Sequence, residues 1–217
     1  MIHKNNNAGL TLVEVISATI IILVGLVAML SSSVALLGAV RYSKNFLIAT
    51  QLAREALEMT KKDRDEYILG GGTFTFANWL LSIKTTEPAY KILEVDNGGG
   101  AFNGKFKLTD LGAGKDLTAC IQDESCNVHF FENANENIYG NGTVNGSIGA
   151  PSIFYRVITL ADIKCENTVP GGEVGTDPTD LCNSGDVVGV EVTAQVEWFS
   201  KDDPKGATMA TRLYGWQ

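Results

Sequence analysis

Few side chains in this 217-residue chain could do chemistry, and they are unevenly placed. Glu14 is the only charged residue between Lys4 and Arg41, and the 26 residues from Val15 to Val40 carry no charge. A carboxylate at the head of such an apolar run is costly in lipid unless it is paired, so it reads as functional. Four cysteines follow much later: Cys120, Cys126, Cys165 and Cys182. Four cysteines allow three pairings. Separations of 6 (Cys120 to Cys126) and 17 (Cys165 to Cys182) favour two local bridges. A thiolate zinc site wants tighter pairs of the C-x2-C kind, which are absent. The segment Glu173 to Asp186 gathers oxygen ligands, with Asp177, Asp180 and Asp186 foremost. Calcium takes six to eight such oxygens, but the spacing is not that of an EF-hand, and a solvated loop is the plainer expectation.

Catalysis is poorly supported, and the chain is expected not to be an enzyme. His129 lies between Val128 and Phe130 in a strand-like segment, where a packed or surface role is expected rather than a general base. Asp123-Glu124 and Asp202-Asp203 are adjacent in sequence and suit turns better than an acid/base pair. No nucleophile elbow, P-loop, H-E-x-x-H or C-x-x-C motif is present. No cofactor is expected, calcium in the acidic loop being the one exception. Asn141-Gly-Thr143 and Asn145-Gly-Ser147 fit glycosylation sequons, which Asn-Gly turns also produce by chance.

The elements that must carry these groups begin with the apolar run. At 1.5 Å per residue, 26 helical residues extend about 39 Å, enough for a hydrocarbon core of about 30 Å. Beyond Arg41 the pattern changes: Phe46, Ala49, Ala53, Ala56, Leu57 and Thr60 recur at helical spacing, with Arg54, Glu58, Lys61 and Asp65 on other faces. Glu58 and Lys62 stand in the favourable i,i+4 order for an ion pair. One helix from Leu10 to about Asp65 is expected, apolar all round in its first half and one-sided in its second, ended by Gly70-Gly71-Gly72. Short alternating segments follow. Tyr90–Val95, Lys105–Asp110, Val128–Phe131 and Phe154–Leu160 are strand candidates, with Asn-Gly turn signals at Asn97, Asn103, Asn141 and Asn145. The clearest strand is Val188–Trp198: Val188, Val190, Val192, Ala194, Val196 and Trp198 share an apolar face, and Gly189, Glu191, Thr193, Gln195 and Glu197 share a wet one. Ser200–Gly206 reads as a turn and Thr208–Trp216 as the last strand. Asn133–Pro151 and Glu166–Gly185 read as long loops. The expected class is α+β, an antiparallel sheet packed on the one-sided half of a long N-terminal helix.

Gly9-Leu10-Thr11-Leu12-Val13-Glu14, following a basic leader and preceding the apolar run, resembles the class III signal sequence of type IV pilins and type II secretion pseudopilins. The resemblance implies cleavage by a prepilin peptidase between Gly9 and Leu10, methylation of the new N-terminus, and Glu14 as fifth residue of the mature chain. It also implies a pilin-like fold: leader 1–9, transmembrane and assembly helix 10–40, and a head over 41–217, with 41–65 continuing the helix and 66–217 forming sheet and loops. Leu10 stands where the family usually has phenylalanine, and no proline precedes Pro88, so a straighter helix is expected. Gln51–Glu58, Lys62–Asp65, Phe154–Thr159 and the tail Leu213–Gln217 are similar to minor pilins of the pilus-modification kind. The implied partners are other pilin subunits, the peptidase, an inner-membrane assembly platform and, before assembly, membrane lipid. The implied location is a single pass of the cytoplasmic membrane with the head outside, then a surface filament. In that family the glutamate pairs with the N-terminal amine of a neighbouring subunit. A minor pseudopilin and a membrane-anchored module for adhesion or DNA uptake are the rival functions. For the N-terminus itself, a simple anchor or a secretory signal cut near Ser31–Ser33 are the alternatives.

Charge bears on partners. Lys4 and Glu14 cancel, so the whole net charge of −8 falls on residues 41–217. An acidic head disfavours a general grip on nucleic acid, a local basic patch aside. On the oxidising side of the membrane its cysteines would persist as disulfides.

Overall fold

The computed structural model describes residues 11–70, 76–84, 88–96, 105–111, 115–132, 137–141, 143–144, 147–165, 187–200 and 203–214. Helix α1 (Leu12–Leu69, 58 residues) begins after Thr11 and closes at Gly70, whose N–H donates to the Glu66 carbonyl. It is longer at its C-terminal end than the spacing predicted, and Gly70 is where it stops. The chain divides into two compact units, Met1–Asn45 and Phe46–Gln217.

In the first unit the described helix buries none of its side chains, and Leu12 through Val40 present their apolar atoms outward. Its hydroxyls are turned back onto the helix: Ser17 donates to the Glu14 carbonyl (3.0 Å), Thr19 to Ile16 (2.8 Å) and Ser33 to Met29 (2.9 Å). That arrangement removes free polar groups from a surface that would otherwise face lipid. Among the described residues this is the one helix long and apolar enough to cross a membrane.

The second unit is α+β. The rest of α1 is followed by α2 (Phe76–Ile83), β1 (Ala89–Asp96), β2 (Lys105–Asp110), α3 (Leu117–Gln122), β3 (Asn127–Glu132), β4 (Asn137–Gly140), β5 (Thr143–Val144), β6 (Ser147–Ile148), β7 (Ala150–Lys164), β8 (Val187–Ser200) and β9 (Asp203–Tyr214). Strand β7 is the spine of an antiparallel sheet. Along one edge its first half pairs with β3 (Phe130↔Ala150) and its second half with β1 (Tyr90↔Thr159), and β4 and β2 lie outside those. Its other edge carries β8 and then β9. β5 and β6 form a separate two-stranded ribbon.

Strand parity sorts the side chains. Phe154, Ile158 and Leu160 of β7 join Val190, Val192, Ala194, Val196 and Trp198 of β8 in one core, closed by Ala49, Leu52, Ala53, Ala56 and Leu57 of α1 and by Trp79, Leu80 and Ile83 of α2. The small side chains on α1 let the helix lie close to the sheet. On the opposite face Val157 packs with Leu111, Leu117, Cys120 and Cys126, which places α3 there. The apolar face expected of β8 is thus the core face, and the α+β, pilin-like layout expected from sequence is what the chain adopts.

Several details differ. Phe46 is 43% exposed, and Leu52 takes the buried place on the helix instead. Glu58 pairs with Arg54 (2.9 Å) and Lys62 with Glu66 (3.6 Å) rather than with each other. Ser200 pairs directly with Asp203, so the turn is far shorter than Ser200–Gly206 and β9 starts with Pro204 inside it. Among the described strands β9 pairs only with β8, and proline is tolerated at an edge because its missing N–H costs no ladder bond. Gly189 is buried, not wet: a Cβ there would lie 2.8 Å from the Leu213 carbonyl oxygen. The loop expected over Asn133–Pro151 contains β4, β5 and β6, and α2 and α3 were not foreseen.

Candidate functional site

Thr11 and Glu14 stand at the start of α1 with the T-x-x-E spacing of a capping box. The backbone N–H groups of Glu14 and Val15 donate to the Thr11 carbonyl at 3.0 and 3.2 Å. Glu14 lies in the first turn, where a negative charge is favoured by the helix dipole. Its side chain is exposed and has no ion-pair or hydrogen-bond partner among the described residues. Gly9 and Leu10, the expected cleavage positions, lie outside the described residues.

Glu14 also heads a feature that the sequence reading missed. Steps of four and three residues from it meet Ala18, Ile21, Gly25, Ala28, Ser32, Ala35 and Ala39, which form one seam of the helix. All but Ile21 are small. Neither Gly25 nor Gly38 has anything within 4 Å of where a Cβ would lie, so nothing among the described residues explains a glycine there. Glycine in a helix interior costs about 1 kcal/mol relative to alanine. Seams of small residues let apolar helices approach one another closely in a membrane. The 3.5-residue period was the signal available for finding it.

In the head, polar pins fix α1 on the sheet. Arg156 of β7 is fully buried on the helix-facing side. Its Nη1 donates to Glu55 Oε2 at 2.8 Å and to the Leu52 carbonyl at 3.3 Å. Its Nε and Nη2 have no hydrogen-bond partner among the described residues. Burial lowers the Arg156 pKa, and the neighbouring Glu55 carboxylate works against that shift. Trp79 donates its indole N–H to Asp63 Oδ2 at 3.2 Å, joining α2 to α1. Burial raises the Asp63 pKa, with the Trp79 hydrogen bond opposing. Lys91, itself buried, pairs with Asp110 at 2.7 Å across β1 and β2, and Lys84 pairs with Asp162. None of these pins was foreseen. The parity of Arg156, in step with Phe154 and Ile158, was the clue.

Cys120 and Cys126 are joined in a disulfide that ties α3 to the turn before β3, as their spacing suggested. Cys165 is buried and disulfide-bonded as well, while Cys182 lies outside the described residues. So do Asp177, Asp180 and Asp186, the expected calcium ligands, along with Asn145 of the second sequon. Asn141 of the first is 3% exposed and donates its side-chain N–H to the Asn127 carbonyl at 2.7 Å. That nitrogen is the one a glycan would need, so Asn141 is a structural residue. His129 is half-buried in β3, 6.5 Å from the Phe131 ring. Asp123 and Glu124 do lie in a turn; Asp203 instead opens β9.

Comparison with protein-family models, with curated proteins and with solved structures finds no match for this chain.

Proposed function

We propose that this chain is a minor type IV pilin: a non-enzymatic subunit that is cut after Gly9, anchored by α1 and drawn from the membrane into a filament. The observation that carries the proposal is Glu14, an exposed carboxylate without a partner among the described residues, at the head of an apolar helix that buries nothing in its own unit. A charge of this kind near the bilayer centre costs about 3 kcal/mol, less toward its edge. Pairing with a cation on another chain removes that cost. The resemblance names the cation as the N-terminal amine of a neighbouring mature subunit. The seam of small residues running from Glu14 supports close helix–helix contact along the same line. The size of the head and its irregular sheet favour a minor subunit over the bulk one, and a minor pseudopilin of a type II secretion system is the nearest rival.

Glu14→Ala tests the mechanism, with sheared filaments and membranes quantified separately by immunoblot. The variant should be processed and membrane-bound but lost from the filament fraction at least tenfold, which corresponds to about 1.4 kcal/mol of assembly free energy. Incorporation at the unmodified level would overturn the proposal.

A further inference from the structure

The sheet face opposite the core carries a cleft of about 420 Å³, lined by Tyr90 of β1, Thr159 of β7, Thr193, Gln195 and Glu197 of β8, and Asp116, Leu117 and Thr118 beside α3. Register explains why these groups converge. Tyr90 lies opposite Thr159 and Thr159 opposite Thr193, so the three form one row across neighbouring strands. Gln195 and Glu197 continue down β8 on the same face, and Glu197 lies opposite Tyr155. From Thr193 to Glu197 along β8 is four residues, about 13 Å at strand rise. Tyr90 is the aromatic ring of the lining and stands at the Thr193 end of the strip.

The chemistry of the strip is specific. Of its side chains, Asp116 is committed to the Ala119 N–H as the cap of α3. Those of Tyr90, Thr159, Thr193, Gln195 and Glu197 have no hydrogen-bond partner among the described residues. Glu197 contrasts with the acids around it. Glu191 is paired with Arg212, Asp123 with Lys115 and Glu94 with Lys107, whereas the half-buried Glu197 has none of these. Among the described residues no lysine or arginine lines the cleft, so phosphate and carboxylate ligands are opposed by its charge. Neutral hydroxyls and an amide outnumber the free carboxylate, which disfavours a simple cation. A carboxylate that can accept two O–H bonds, an amide that donates and accepts, hydroxyls beside them and a flanking tyrosine ring match a polyhydroxylated ring compound. A length of about 13 Å accommodates two or three linked sugar rings.

We infer that this cleft is a binding site for a neutral oligosaccharide, with Thr193, Gln195 and Glu197 making its hydrogen bonds and Tyr90 bounding it. The inference concerns the head alone and stands whether or not the chain enters a filament.

The test uses the full chain in lipid nanodiscs, free of glycoside detergents. Saturation-transfer NMR is run against maltotriose, cellotriose, chitotriose and lactose, with spermidine as the cationic comparison. At least one saccharide should bind with a Kd below about 5 mM, and Thr193→Val/Gln195→Ala should weaken it about tenfold, near 1.4 kcal/mol. Those positions are only half-buried, so the melting temperature should hold, and Glu197→Gln provides a second variant should the first misfold. Binding by none of the four saccharides, binding unchanged in both variants, or binding of spermidine alone would overturn the inference.

Discussion

The buried Arg156–Glu55 pair yields an asymmetry that can be worked out from burial alone. Arg156 is 0% exposed while the Glu55 side chain keeps 30% of its surface in solvent. Removing Glu55 strands a guanidinium in the core with only the Leu52 carbonyl for company. Breaking a buried pair in that way costs about 3–5 kcal/mol. Removing Arg156 instead leaves a glutamate that water can reach. It also takes out a side chain whose Nε and Nη2 lack partners among the described residues. Exchange of a buried ion pair for apolar groups of similar volume is neutral to stabilising by about 1–4 kcal/mol, and Arg156→Met approaches that case because the glutamate left behind is solvated. Glu55→Ala should therefore lower Tm by about 6–20 °C, taking about 2–4 °C per kcal/mol for a unit of this size. Arg156→Met, which strands no buried charge, should leave Tm unchanged or raise it, by up to about 16 °C. The double variant should sit near Arg156→Met, since the stranded charge is gone. Thermal unfolding of the full chain in nanodiscs, followed by near-ultraviolet circular dichroism, reads all three. Arg156→Met destabilising as much as Glu55→Ala would refute the assignment of the cost to an unpaired buried cation.

Cys120→Ser/Cys126→Ser opens a short loop, for which the chain-entropy relation gives a loss of about 2.4 kcal/mol, checked by urea denaturation with and without the bond. The hydrogen bonds that Asp123 accepts from Lys115 and from the Ser125 N–H hold its pKa at about 2, down from an ordinary 3.8. A depressed carboxylate pKa adds stability above the unfolded value and loses it as pH falls through the folded one, so this contribution fades between about pH 4 and pH 2. Carbon-detected NMR titration should place the Asp123 midpoint near 2, and Lys115→Ala should move it up toward 3.8. Asp63 has the opposite sign: burial raises its pKa, so its contribution is greatest below the ordinary value and is lost as pH rises through the folded one. Asp63→Asn should match the unmodified chain near pH 3 and gain on it in urea midpoint as pH rises toward 7.

Much of the fold was legible because its patterns are long. Twenty-six uncharged residues leave little choice but a helix, and the 11-residue alternation of Val188–Trp198 fixes both a strand and its buried face. β2, six residues long, matches its sequence bounds because a two-residue alternation shows even within so short a run. The short helices were not legible: eight and six residues hold too few turns for a period to emerge. Asp116 before Leu117 was nevertheless a readable cap. Pro204 and Gly206 suggested a turn because sequence does not reveal that β9 is an edge. For the site, Glu14 stood out by charge alone. The Arg156 pin and the saccharide cleft did not, since both depend on which strands become neighbours.

Entry into the pilin pathway leaves its mark on the N-terminus, which intact mass and N-terminal sequencing read. The protein should be recovered from cells that supply its own processing machinery. The mature chain should begin at Leu10, with or without one added methyl group. A chain beginning near Ser33, or one retaining Met1, would contradict it.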